Sequence, residues 1–252
     1  MRALTAPDIL RVWEQGQPQH PVDRALTLLA AGCPERTREE LASLSVGQRD
    51  ADLLDLREGT FGPVLNCYEE CPQCGERLEF AFTTNHIRVP PSPEGEKKES
   101  VFAFEDWEVR FVLPASLDLA AVAGSASSEG ARALLMKRCI LASTRGGATV
   151  PFEALPEEIL LRLAARVAEC DPQAEVLLDL SCPVCSHVWQ RVFDIVSFFW
   201  REICAQAKGL MCEVHTLARA YGWREADILS MSSSRRQFYL GRVTGWLTFS
   251  QD

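Results

Sequence analysis

Cys71-Pro72-Gln73-Cys74-Gly75 and Cys182-Pro183-Val184-Cys185-Ser186 are the two stretches on which the fold of this chain turns. Each is a Cys-Pro-x-Cys knuckle, a tight turn that aims two sulfurs at one point. Together they supply four thiolates, the number and softness that a closed tetrahedral zinc site requires. The 107 residues between Cys74 and Cys182 make the spacing unusual. One zinc ion on Cys71, Cys74, Cys182 and Cys185 would staple the first third of the chain to the last third. It would leave no coordination position open for catalysis. An isolated two-sulfur site binds zinc weakly, whereas a closed set contributes directly to folding.

A strand reads out of the first knuckle, and strands flank the second. Leu78, Phe80 and Phe82 alternate with Glu79 and Ala81 after the first. A strand over 176–180 leads into the second knuckle, and one over 188–193 leaves it. Laying one knuckle on the other pairs Cys71 with Cys182, Cys74 with Cys185 and Phe82 with Phe193. That is a weak internal repeat, of the kind expected from the two halves of a zinc ribbon.

Outside the knuckles the pattern is mostly helical. Thr5-Ala6-Pro7-Asp8 is a capping box with a proline inside it, followed by Ile9, Leu10, Val12 and Trp13. Helices follow over 23–31, ended by Gly32-Cys33-Pro34, and over 37–44; Ser45-Val46-Gly47-Gln48 opens another that ends at Gly59. The proline-rich polar run 90–99 is the best linker. Residues 101–113 read as a strand or hairpin, 117–122 and 129–142 as helices, and 143–150 as a loop. Pro156 opens a helix running to about Cys170. The strongest helix signal comes last. Val196, Phe199, Ile203, Ala207, Leu210, Val214, Leu217 and Tyr221 recur at spacings of three and four, up to Gly222. Two short helices follow, the second capped by Ser232. Phe198-Phe199-Trp200 cannot all face one side of a helix, so either this stretch is surrounded by protein, the preferred reading, or one side of it meets a partner.

These elements predict an α+β fold. It comprises a helical N-terminal region (1–66), a zinc ribbon split into halves (67–90 and 171–194), a mixed strand and helix module inserted between them (91–170), and a long helical C-terminal arm (195–252).

The totals bound the function. At 252 residues the chain can bury a sizeable core, and 47% hydrophobic with 24% charged residues is an ordinary soluble balance. A net charge of −9 and a pI near 5.1 argue against broad binding to nucleic acid or anionic membrane. Nothing reaches the roughly 18 uninterrupted apolar residues of a spanning helix, and the first residues lack the apolar core of a signal peptide. The ten cysteines are therefore expected in the reducing cytoplasm. There the paired ones read as metal ligands, and Cys33, Cys139, Cys170, Cys204 and Cys212 as small buried hydrophobes.

Other chemistry finds little support. Cys67, Cys71 and Cys74 have the three-cysteine spacing of radical SAM iron–sulfur enzymes. Gln73, however, stands where an aromatic residue is usual, and neither a glycine-rich motif nor repeated strand–helix units follow. No nucleophile elbow, phosphate loop or dinucleotide fingerprint is present. The acidic residues are spread over helix faces, so no catalytic pair, organic cofactor or small-molecule substrate is indicated. His20, His86, His187 and His215 read as structural, although His187 lies close enough to a knuckle to be a stray ligand; Arg235-Arg236 reads as a solvated helix face rather than a site for a partner's carboxylates. A nucleic-acid-binding ribbon would need a basic stripe that this chain lacks.

A set of longer motifs carries a family likeness. These are Leu44-Ser-Val-Gly-Gln-Arg-Asp-Ala-Asp-Leu-Leu, Phe61-Gly62 and the Cys-Pro-x-Cys-Gly-Glu knuckle. Asp171-Pro-Gln-Ala, Phe193-Asp-Ile-Val-Ser-Phe, Trp200-Arg-Glu and Ala218-Arg-Ala-Tyr-Gly-Trp-Arg-Glu-Ala-Asp-Ile-Leu follow, with Arg235-Arg236 near the end. In this order they resemble the baseplate hub assembly proteins of contractile-tailed phages, and the bacterial relatives found with extracellular contractile injection systems. Ser186 departs from the glycine usual after the second cysteine. The resemblance implies a non-enzymatic role: helping a hub or baseplate assemble, with other baseplate proteins as partners.

Overall fold

Thr5 starts the first helix, its hydroxyl accepting from the Asp8 amide while the Asp8 carboxylate takes the Thr5 N–H. Our computed structural model describes residues 1–90 and 99–245; most of the expected linker lies outside them. Helix α1 (Ala6–Gly16) is followed by α2 (Pro21–Gly32), capped by the His20 imidazole, and α3 (Arg38–Ala42), opened by a Thr37–Glu40 capping box. Ser45 caps α4 (Val46–Phe61), and Gly62 ends it at φ 87°. The first antiparallel hairpin, β1 (Val64–Glu70) and β2 (Arg77–Thr83), then carries the first knuckle at its tip.

The middle of the chain contains β3 (Ser100–Phe104), β4 (Trp107–Phe111), α5 (Ser116–Val122), α6 (Ser128–Cys139), β5 (Ile140–Arg145), β6 (Ala148–Thr149) and α7 (Glu157–Cys170). The four strands form one antiparallel sheet in sequence order. Here the expectation of a helix to 142 and a loop to 150 is corrected. The helix stops at Cys139, whose carbonyl accepts from the Val112 amide (2.9 Å), and 140–145 pairs with β4. Apolar spacing alone continues through Ile140, but the vacant edge of β4 offers a better partner than another helical turn. Gly146 and Gly147, both at positive φ, make the return to β6.

A second antiparallel hairpin, β7 (Leu177–Ser181) and β8 (Val188–Val192), carries the second knuckle. The chain then runs into α8 (Ile195–Tyr221), α9 (Glu225–Ser230) and α10 (Ser233–Thr244). Gly222, left-handed at φ 67°, ends α8.

The α+β class holds, with helical regions at both ends. Among the described residues two apolar cores form. One gathers Leu28, Leu29, Leu53, Leu54, Phe199 and Ile203 where α1, α2 and α4 surround α8. The other joins the inward face of β4 (Trp107, Val109, Phe111) to Met136, Ile159 and Leu163 of α6 and α7. Phe198, Phe199 and Trp200 are all buried, so the helix is enclosed on several sides. Gly16 is needed for this packing, because a Cβ there would sit 2.4 Å from the Trp200 ring. Helix α8 is thus the axis of the first core as far as Leu210. Its far end is covered by α9 and α10.

Candidate metal centre

Both knuckles are built by the same backbone bonds. In the first, Gly75 N–H donates to the Cys71 carbonyl (2.9 Å) and Cys71 N–H to Glu76 (2.8 Å). In the second, Ser186 N–H donates to Cys182 (2.9 Å) and Cys182 N–H to His187 (2.9 Å). Both turns require left-handed backbone after the second cysteine, at Gly75 (φ 73°) and Ser186 (φ 60°). The departure noted at Ser186 is therefore a side chain held where glycine is the unstrained choice.

The hairpins bring their tips together. Cys71 Sγ lies 3.7 Å from Cys185 Sγ and Cys74 Sγ 3.6 Å from Cys182 Sγ, with all four sulfurs within 4.8 Å of one another. A tetrahedron of sulfurs about 2.3 Å from a central ion has edges of about 3.8 Å. The four thiols therefore fit a metal ion. Cys71 and Cys182 are buried, and Cys74 is exposed.

Thiol chemistry agrees with the geometry. The backbone amide of Cys185 favours the Cys182 thiolate and holds its pKa at about 7. The Glu76 amide also favours the Cys74 thiolate, but the Cys185, Cys182 and Cys71 sulfurs beside it overcome this and push Cys74 to about 12. The first negative charge is accommodated at Cys182 and a second is resisted at Cys74. A cation bound among the four sulfurs would remove that conflict.

Other contacts hold the two hairpins in register. Phe82 and Phe193, equivalent positions of the repeat, touch each other edge to face at 5.7 Å between centroids. Gln173, just before β7, donates to the Ile87 carbonyl (3.2 Å) and accepts from Val89 N–H (2.8 Å), just after β2. Asp171 Oδ2 accepts from Gly47 N–H at the start of α4 (2.9 Å), which ties the end of α7 to the N-terminal helices. Arg57, 2% exposed, donates to the Gly62 and Val64 carbonyls (2.6 and 2.7 Å) and to both carboxylate oxygens of Glu202 on α8. Sequence reasoning missed these clamps. Asp171 and Gln173 were visible only inside the Asp171-Pro-Gln-Ala motif, and nothing in the sequence singled out Arg57.

Several remaining expectations are corrected or sharpened. Cys67 does not join Cys71 and Cys74 in the cluster; it sits on β1, half-buried against the first core. Cys33, Cys139 and Cys170 are buried, but Cys204 is only half-buried and Cys212 is exposed. His187 stacks on Trp189 (5.8 Å, 13°) instead of joining the sulfurs. Arg236 is no solvated residue, since it is buried and bonds Glu213 at 2.7 Å.

Residues 8–200 match the family model described as T4 bacteriophage base plate protein. The chain belongs to that family. The baseplate match spans α1 through both knuckle hairpins and ends at Trp200, near the start of α8. No curated protein and no solved structure matches the chain. No helix of the described residues is long and apolar enough to cross a membrane. For a baseplate protein, whose partners are other proteins, the paired hairpins supply a framework that a metal ion could fasten.

Proposed function

We propose that this baseplate family member is a non-enzymatic assembly factor or minor structural component of the hub of a phage-like contractile injection system. One zinc ion on Cys71, Cys74, Cys182 and Cys185 holds its shape. The observation that carries the reading is the meeting of two distant cysteine pairs within the span that matches the baseplate family. A closed four-thiolate site stabilises a fold and offers no open position to a substrate. The protein works in the cytoplasm, where its thiols stay reduced and free to hold metal.

In this reading the segments 67–90 and 171–194 are one split zinc ribbon. The helical region 1–66 and the segment 195–252 close around it, and 91–170 is an insertion with its own core. Zinc is preferred to an iron–sulfur cluster because the sulfur separations suit a single tetrahedral ion. A cluster would give a brown protein absorbing near the blue end of the spectrum, whereas the zinc form is colourless.

The test is made in the cell that produces the injection particle. Deleting the gene should stop hub or baseplate assembly while tube and sheath proteins are still made. The tagged chain should recover defined baseplate proteins by mass spectrometry. Normal particles from the deletion strain, with no baseplate protein recovered, would refute the role.

A further inference from the structure

The two knuckle hairpins share one backbone plan, so their outward faces can be compared position by position. On the first hairpin these positions hold Asn66, Tyr68, Glu70, Gln73, Arg77 and Glu79. Their counterparts on the second are Leu177, Asp179, Ser181, Val184, Val188 and Gln190, followed by Val192 in place of Ala81. Leu177, Val184, Val188 and Val192 are 47, 66, 66 and 53% exposed. The fold does not demand apolar side chains there, because the first hairpin does without most of them. Exposed apolar surface beyond what a fold needs marks a contact.

Val192 leads this face into a cleft of about 580 Å³ at the seam between the two cores. Val46, Leu119, Leu135, Val167 and Ala174 line it, together with the acidic Asp171 and Glu175. The surface is therefore apolar with acidic borders.

The chain itself carries the complementary chemistry. Up to Trp200, 30 acidic residues stand against 19 basic ones; beyond it, five stand against seven. On α10, Arg235, Phe238 and Arg242 share one helical stripe, and all three are exposed. Arg236 and Gln237 both bond Glu213 of α8 at 2.7 Å, which fixes α10 on its own molecule with that stripe turned outward.

We infer that α10 of one copy docks in the cleft of a second copy, with Phe238 entering beside Leu135, Val167 and Val192 and Arg235 meeting Glu175. The contact is head-to-tail, since each copy offers a helix at one place and a cleft at another. Such contacts propagate, and they close into a ring when the rotation between copies allows it. This inference stands apart from the role in assembly and from the identity of the metal.

Sedimentation and light scattering on the full chain, over a range of concentrations, test it. The wild type should grow beyond a monomer as concentration rises. Arg235→Glu with Phe238→Ser, which removes the helix side of the contact, should weaken association by about tenfold or more. Glu175→Arg with Val192→Ser, which removes the cleft side, should do the same. All four positions are exposed, and circular dichroism checks that both variants remain folded. Mixing the two variants should give a one-to-one dimer and nothing longer, because only one productive contact is then possible. A wild type that stays monomeric throughout would overturn the inference. So would a mixture that stays monomeric, since an intact helix and an intact cleft would then have failed to dock, and so would association that survives either double substitution.

Discussion

Replacing Gly47 by alanine separates tertiary packing from helix propensity. Gly47 lies in the first turn of α4, where a glycine-to-alanine change would ordinarily stabilise by up to about 1 kcal/mol. In this fold a Cβ would fall 2.1 Å from Asp171 Oδ1, 2.7 Å from its Cγ and 3.0 Å from the Ala174 backbone nitrogen. The Asp171 carboxylate must move, and the Gly47 N–H loses its acceptor 2.9 Å away. A hydrogen bond to a charged group contributes about 1.5–3 kcal/mol, so after the propensity gain the net loss is about 1 kcal/mol. Gly59, exposed on the same helix, has only the Ala3 Cβ at 4.0 Å, so Gly59→Ala should stabilise by about 0.5–1 kcal/mol. Urea unfolding followed by tryptophan fluorescence measures both, with unchanged m-values certifying that stability alone has moved. In a double-mutant cycle, Gly47→Ala should lose most of its cost once Asp171 is already alanine, leaving only the approach to the Ala174 nitrogen. Should Gly47→Ala prove neutral or stabilising like its control, the link between α4 and the segment before β7 is wrong.

Three further outcomes follow from the same structure. Ser186→Gly relieves a left-handed serine in the second knuckle and should raise stability by about 0.5–1 kcal/mol, whereas Gly75→Ala in the first should lower it by about 1 kcal/mol, both read from urea midpoints. Arg57→Met leaves two carbonyls and Glu202 without their buried donor, so it should cost about 3 kcal/mol; a loss under about 1 kcal/mol would mean that the clamp is incidental. Burial pushes the Asp50 carboxyl up from 3.8 to about 6, although the neighbouring Arg49 charge opposes it. The folded chain then holds this proton longer than the unfolded one. The group's stability contribution is fully present below about pH 4 and is lost as pH rises to about 6, by about 3 kcal/mol. Asp50→Asn should remove that slope from the stability profile; identical profiles for variant and wild type would contradict it.

How much of this was legible depends on the range of each interaction. Capping boxes and glycine stops act within one turn, so Thr5, Ser45, Ser232 and Gly222 announced their helix ends correctly. The knuckles were legible because Cys-Pro-x-Cys is a local turn, and their partnership because four soft ligands need one another. Strand β1 was not, since Asn66-Cys67-Tyr68-Glu69-Glu70 shows no apolar alternation and is strand only because β2 pairs with it. Strand β5 was hidden for a related reason: Ile140 continues a helical spacing that pairing with β4 overrides. The clamps made by Arg57, Asp171 and Gln173 join residues far apart in the chain, and no local pattern records such bonds. Helix α8 was recognised as a helix and Phe198-Phe199-Trp200 pointed to its enclosure, but no local pattern could name α1, α2 and α4 as the helices that enclose it.

A single ion that joins remote segments through both cysteine pairs is counted by elemental analysis of the purified chain. The wild type should carry one zinc per chain. Cys182→Ser with Cys185→Ser should carry almost none, and Cys71→Ser with Cys74→Ser equally little. Metal that survives the loss of either pair would rule out one shared ion.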